Sequence, residues 1–374
     1  MTDWQHEFPQ DEDLCYLNHA AVAPWPKRSH DAVVRFAAEN LSHGARHYPR
    51  WLATEARLRE QLQRLVNAPS TDDISLLKNT SEGLSVIAAG LDWQPGDRVL
   101  ISNQEFPSNR IPWQALERHG VSVDQADLGG DDPEGALIAA MTPETRLLSI
   151  SSVQYGTGLR MDLARLGEAC RERGILFCVD AIQSLGVLPM DVQAINADFV
   201  VADGHKWMLG PEGLALFYCR AALRPTLTLH QHGWHMVADA GDYSRQDWQP
   251  AQDGTRFECG SPNLLCAHAL SASLSLIEEV GVARIAAQVA EHIDYLANEL
   301  DALGLPLVTP TQRERRAGIL TFLPGGDSKA CWQALMADGV VCAPRGGGIR
   351  LSPHFYTPQR VLEQAMAAIS RHCR

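Results

Sequence analysis

Short apolar runs punctuate the first two thirds of the chain, at 74–77, 99–101, 147–151, 175–179, 199–202 and 214–218, with longer mixed stretches between them. Apolar runs that do not alternate with polar residues suit strands buried on both faces, and such strands belong to a mainly parallel sheet covered by helices. Between the third and fourth runs, Leu163, Leu166 and Cys170 recur at helical spacing, and Gly174 follows as a helix stop before the next strand. One β-α-β unit is thereby visible whole, and the pattern predicts an α/β fold.

Beyond about residue 264 the rhythm changes. An Ala-, Leu- and Ile-rich stretch over 267–303 predicts helix, and strand-like segments at 318–323 and 340–342 then alternate with helices. A last helix is expected to begin near Pro358, with Val361, Leu362, Met366 and Ile369 on one face. These features predict a large α/β domain over 16–263 and a smaller α+β domain built from 1–15 and 264–374. No internal repeat, low-complexity tract or long polar linker interrupts them.

Composition narrows the partners. With 45% apolar and 21% charged residues among 374, the chain reads as an ordinary soluble globular protein. Its formal net charge of -13 opposes nucleic acid or an anionic membrane as the main partner, so any anion must be held by local groups. No apolar run approaches the roughly 20 residues that span a bilayer, and Met1-Thr2-Asp3-Trp4-Gln5 lacks the basic and apolar regions of a signal peptide. A cytoplasmic location is therefore expected. The nine cysteines are scattered without C-x-x-C pairs, which predicts reduced core thiols and neither a disulfide framework nor a zinc site.

The densest chemistry lies where two of the predicted strands end. Asp180 closes the run that starts at 175, and Lys206 follows the next run within Gly204-His205-Lys206-Trp207. Groups at the carboxyl edges of parallel strands face the crevice in which α/β proteins bind ligands. Pyridoxal-phosphate (PLP) chemistry needs this pair: the lysine amine forms a Schiff base with the cofactor aldehyde and shuttles protons, while the carboxylate keeps the pyridine nitrogen protonated. Taken alone, a strand-end Asp and a loop Lys are commonplace, so the neighbours decide.

Those neighbours are Tyr16-Leu17-Asn18-His19-Ala20-Ala21, Lys78-Asn79-Thr80-Ser81-Glu82-Gly83, Gln104-Glu105-Phe106-Pro107-Ser108-Asn109 and Gly156-Thr157-Gly158. Asp180-Ala181-Ile182-Gln183, Gly204-His205-Lys206, the segment 256–263 and the segment 350–357 complete the series. In this order and spacing they resemble the class V aminotransferase family, in its cysteine-desulfurase-like branch, among the fold-type I PLP-dependent enzymes. The resemblance implies pyridoxal 5'-phosphate as cofactor, a small amino acid as substrate, and Lys206 as the catalytic Schiff-base lysine.

It also implies a role for each neighbour. Thr80 and Ser81, at the start of a helix with Leu84, Ile87, Ala88 and Leu91 on one face, read as a phosphate cradle or as a plain capping motif. Phe106 stands where the family stacks an aromatic ring on the pyridine, usually His in desulfurases; a Phe can stack but cannot exchange a proton. Gln183 resembles the residue that bonds the cofactor's phenolic oxygen, and His205 a phosphate ligand. Gly260-Ser261 resembles the Gly-Thr pair that reaches the neighbouring subunit's phosphate, which implies a homodimer; a tight turn before a helix is the plainer reading. Arg350 resembles the arginine that clamps the substrate α-carboxylate, a task for a bidentate guanidinium, with Arg345 able to share or take that role. Asn18 joins the substrate side on the same resemblance, and no metal is expected, since His230 and His232 lack a third ligand and read as part of a loop bordering the active site.

The run 340–350 is too short for the mobile loop on which a desulfurase carries its nucleophilic cysteine, and Cys342 reads as a buried strand residue. This resembles family members without that nucleophile: carbon–sulfur lyases, isopenicillin N epimerase-like proteins and, more distantly, kynureninases. A lyase eliminating a β-substituent is the leading expectation, with transamination to a 2-oxo acid and a non-catalytic PLP-holding protein as alternatives.

Overall fold

The structure is a computed structural model and describes residues 4–373. Residues 1–3, within the N-terminal piece assigned to the small domain, and residue 374 lie outside the described residues.

Seven strands form the main sheet: β2 (Ile74–Leu77), β3 (Arg98–Ser102), β4 (Ser122–Ala126), β5 (Thr145–Ser151), β6 (Leu176–Asp180), β7 (Phe199–Asp203) and β8 (Ala215–Cys219), while β1 (Cys15–Tyr16) lies elsewhere. Their spatial order is β2-β8-β7-β6-β5-β3-β4, and only β8 runs against its neighbours, so the sheet is mainly parallel as the apolar runs predict. The six expected strands are all present; β4 is the addition. Its sequence, Ser122-Val123-Asp124-Gln125-Ala126, is polar because it is an edge strand with only Ala126 fully buried.

Two apolar cores flank this sheet, one on each face. Helices α1 (Lys27–His43) and α2 (Tyr48–Leu65) pack against α7 (Leu264–Val280), while α3 (Thr80–Gly90) and the short α4 (Ile111–Gln114) lie together. α5 (Pro133–Ala140) packs on α6 (Leu163–Arg173), which ends at Gly174 in the left-handed conformation that glycine adopts without penalty. The helix expected over 267–303 is two helices, α7 and α8 (Val282–Ala302). Gly281, at φ 86°, breaks the run, a conformation that helical periodicity on either side does not reveal.

The C-terminal part carries a three-stranded antiparallel sheet of β9 (Leu320–Phe322), β11 (Ala343–Arg345) and β12 (Gly348–Leu351), with α9 (Ser328–Ala337) against it and α10 (Gln359–His372) packed on α8 and α9. β10 (Val340–Val341) pairs in parallel with β1 (Cys15–Tyr16), which joins the N-terminal segment to this part of the molecule. The strand expected over 340–342 stops at Val341, and Cys342 sits buried between β10 and β11. The expectation of nine reduced thiols fails for one pair. Packing of α9 on α10 brings Cys331 and Cys373 together, with Cα atoms 5.4 Å apart, and they are joined as a disulfide. Their separation of 42 residues hid the pairing, which depends on where the two helices meet.

Candidate active site

The carboxyl ends of β6 and β7 carry the central groups. Asp180 is the last residue of β6 and is 2% exposed; its Oδ1 accepts from the Ile182 N–H at 3.0 Å. Burial raises its pKa; the Ile182 amide works against this, and nearby Glu105 adds to it. Lys206 follows β7, and its amine stands 5.8 Å from the centre of the Phe106 ring. Burial lowers its pKa; Asp180 opposes the shift, and Arg350 and Arg345 reinforce it. A lysine with a depressed pKa holds a larger share of free amine near neutrality, the form that acts as nucleophile or base.

Phe106 is 41% exposed although it follows a buried strand, and Tyr155 meets it edge to face at 5.1 Å. One face of an apolar ring is thus left open beside the lysine. Next to it in the chain is Glu105, a buried carboxylate that no sequence pattern singles out. It accepts from the side chains of Ser102, Asn109, Ser151 and Gln154 and from the Ser151 amide, and so ties the Phe106 turn to β5. Its signal in the sequence is only a polar residue between a strand and a Pro-containing turn.

The start of α3 is a capped helix N-terminus, the plainer of the two readings its sequence allowed. Asn79 caps the helix by accepting from the Glu82 amide at 2.9 Å, and Glu82 reaches back to the Lys78 amide at 2.6 Å. Thr80 is the first helical residue; its hydroxyl accepts from the Asp203 N–H at 3.1 Å and locks the helix start to the end of β7. Gly83 permits this approach, since a Cβ there would lie 2.6 Å from Val201. The Ser81 hydroxyl donates to Ser108 at 3.0 Å, beside Phe106. His205 Nδ1 lies 3.1 Å from Asp203 Oδ1 without hydrogen-bond alignment, and both buried atoms are left without a partner.

Gln183 is more constrained than the resemblance implies. Its amide donates to the Ala20 carbonyl at 3.0 Å and its carbonyl accepts from Trp207 Nε1 at 2.9 Å, which leaves one N–H for a ligand. Trp207, next to the lysine and fully buried, is therefore a positioning residue that sequence reading overlooked. Gly318 makes room for its ring: a Cβ at 318 would sit 2.2 Å from it. Substituting Gly318→Ala is expected to displace the indole, to destabilise the fold by about 1–3 kcal/mol, and to lower turnover through a misplaced Lys206. Thermal unfolding and steady-state rates measured together check this, and an unchanged rate in a well-folded variant would count against the clamp.

On the opposite wall, Arg350 of β12 is 2% exposed. Its Nη1 donates to the Tyr155 carbonyl at 2.9 Å, its Nε is buried without a partner, and burial, reinforced by Arg345, lowers its pKa to about 10. Asn18 pairs with Ser352 just beyond β12, and its Oδ1 is likewise buried and unpartnered. Arg345 is exposed and, among the described residues, donates only to the carbonyl of its neighbour Pro344. Gly260 and Ser261 are not brought to Lys206. They line a separate surface cavity with Glu55, Lys78, Glu82 and Gly213. His230 bonds the Ala89 carbonyl and His232 meets Trp248 edge to face, so both belong to the packing of the loop after β8.

The family model described as Aminotransferase class-V matches residues 15–347. The chain belongs to the class V aminotransferase family. Among curated relatives, a probable cysteine desulfurase of Methanothermobacter thermautotrophicus is 33% identical over 76% of this chain and 71% of its own length. An isopenicillin N epimerase of Streptomyces clavuligerus is 27% identical over 99% of this chain and 98% of its own. A solved complex of the cystine C-S lyase C-DES with its product cysteine persulfide superposes with a TM-score of 0.91 at 22% identity, covering 98% of this chain and 100% of that one. This likeness establishes a fold-type I architecture. Relatives named cysteine desulfurase lend no support to the expectation that the chain lacks a desulfurase's loop cysteine.

As a class V aminotransferase, the chain is a PLP-dependent enzyme, which sets aside the non-catalytic alternative. The residues fit the cofactor. Half-buried Lys206 and buried Asp180 face one crevice beside the open Phe106 ring, and the unpartnered Nδ1 of His205 lies near the helix start that offers the Thr80 and Ser81 amides. An aldehyde, a pyridine nitrogen, an aromatic face and a phosphate would each meet a complementary group.

Proposed function

We propose that this enzyme is a lyase that eliminates a β-substituent, with sulfur as the candidate leaving atom, from a small amino acid. Bound PLP supplies an electron sink that acidifies the substrate Cα–H. Lys206 would take that proton, its burial raising the share of free amine near neutrality, and Asp180 would hold the cofactor's ring nitrogen protonated. Arg350 would bind the substrate α-carboxylate, with Asn18 Oδ1 near the same wall.

The observation that carries elimination over persulfide transfer is the β11–β12 hairpin. Its turn is Gly346-Gly347, both at positive φ, and no cysteine stands between Ala343 and Arg350. The nearest thiol along the chain, Cys342, is buried, its carbonyl is fixed by Trp332 Nε1, and burial pushes its pKa up to about 12. Such a thiol is inert at neutral pH.

Incubation of the holoenzyme with a panel of β-substituted amino acids is expected to release ammonia and a 2-oxo acid continuously without an added acceptor. Turnover that stops after one cycle and resumes with a 2-oxo acid would establish transamination instead, and a protein-bound persulfide would establish desulfurase chemistry. The same reading includes a homodimer in which half-buried Gly260 and exposed Ser261 reach the second copy's phosphate group. Sedimentation of the holoenzyme as a monomer would remove that part.

A further inference from the structure

Arg345 and Arg350 share one face of the β11–β12 hairpin. The register pairs Ala343 with Arg350 and Arg345 with Gly348, so the two arginines are diagonal neighbours, roughly 7–8 Å apart at the backbone. Gly348 opposite Arg345 has no side chain to intervene. The hairpin tip is pinned on the large sheet's side: Gly346 lies so close to Gly156 that a Cβ would sit 2.3 Å from the Gly156 carbonyl, next to Tyr155, which holds Arg350 and meets Phe106. Both cations act on the Lys206 amine through space.

No carboxylate answers either guanidinium among the described residues, although the chain holds 45 acidic residues against 32 basic ones. Elsewhere Arg28, Arg59, Arg98, Arg165, Arg220 and Arg315 each face an Asp or Glu within 3.0 Å. Two uncompensated like charges on one hairpin face disfavour each other and the protonated form of Lys206. A ligand carrying one carboxylate neutralises Arg350 alone and leaves the second cation unmatched.

We propose that the substrate is an amino acid whose side chain ends in a second anionic group, with Arg345 as the residue that selects it. This rests on the reading above that Arg350 takes the α-carboxylate. In it, Arg350 holds that group in the buried pocket, and Arg345, at the open end of the hairpin, takes the distal anion.

The test uses the holoenzyme and unreactive ligands without an amine, so its outcome is independent of which reaction the enzyme performs. Titration calorimetry compares butyrate with succinate, a monocarboxylate and a dicarboxylate of equal carbon count, and adds glutarate to vary the span. The best-fitting dicarboxylate is expected to bind about 10-fold tighter than butyrate, the gain expected of one charge-assisted pair. Arg345→Gln should erase that preference while changing butyrate affinity less than about two-fold, and Arg345→Lys should retain part of it. Equal affinity for mono- and dicarboxylates, or a preference that survives in Arg345→Gln, would overturn the proposal. If Arg350→Gln leaves butyrate binding intact, the carboxylate assignment itself is wrong, a failure distinct from the other two.

Discussion

Lys206→Ala is expected to lower turnover by at least about 10³-fold, since a positioned general base alone contributes roughly 10²–10⁴. The substitution also removes the amine that stands over the open Phe106 ring. Three observations separate this chemical loss from misfolding. Borohydride treatment of the wild-type holoenzyme should leave the cofactor attached to the peptide containing Lys206, and the variant should give no such label. A small amine such as methylamine should restore part of the rate by occupying the vacated space. Finally, the cofactor-free variant should unfold no more easily than wild type. The native pKa of Lys206 lies below its ordinary value, so between the two the unfolded chain binds more protons than the native one and stability climbs as pH rises through that window. Removing the lysine should flatten that climb. Undiminished turnover in the alanine variant would end the assignment of this residue, and with it the reading of the whole crevice.

The strands that carry this chemistry were legible because burial on both faces of a parallel sheet leaves nothing but apolar residues between their ends, as in Leu176–Asp180 and Phe199–Asp203. Asp180 and Lys206 stand out at those ends because they interrupt an otherwise apolar pattern. What escaped was set by contacts between distant segments. Glu105 differs from a surface glutamate only by the ring of donors that Ser102, Asn109, Ser151 and Gln154 supply from three segments. Trp207 reads as core until its N–H is seen to fix Gln183. Helix α2 is illegible in the sequence for a related reason: its inward face includes Glu55 and Gln61 as well as Trp51, Leu58 and Leu62, so the apolar stripe is broken. Arg59 on that helix offsets the buried charge by pairing with Glu55 and Glu258. Hydrophobic periodicity reports which face is covered, but not which polar groups are covered in pairs.

Asp180→Asn should divide stability from function in the opposite sense to an ordinary core mutation. In the cofactor-free protein the Asp180 carboxyl is buried, accepts one backbone N–H, and has its pKa raised by burial. Between the ordinary carboxylate range and that raised value the native state binds the extra proton, so stability falls as pH rises through the window. An asparagine keeps the acceptor for the Ile182 amide and has no charge to desolvate. The cofactor-free variant should therefore be at least as stable as wild type at neutral pH, and the downward slope should vanish from its pH–stability curve. Turnover should move the other way, by a loss of about 10²–10³-fold, the effect of removing one preorganised electrostatic partner in a water-poor site. The neutral amide cannot hold the ring nitrogen's proton, which is what makes the cofactor an effective electron sink. Denaturation curves across pH, set beside rates at saturating cofactor, test both halves together. A variant that is less stable without cofactor yet turns over within 10-fold of wild type would show that Asp180 serves the fold rather than the reaction.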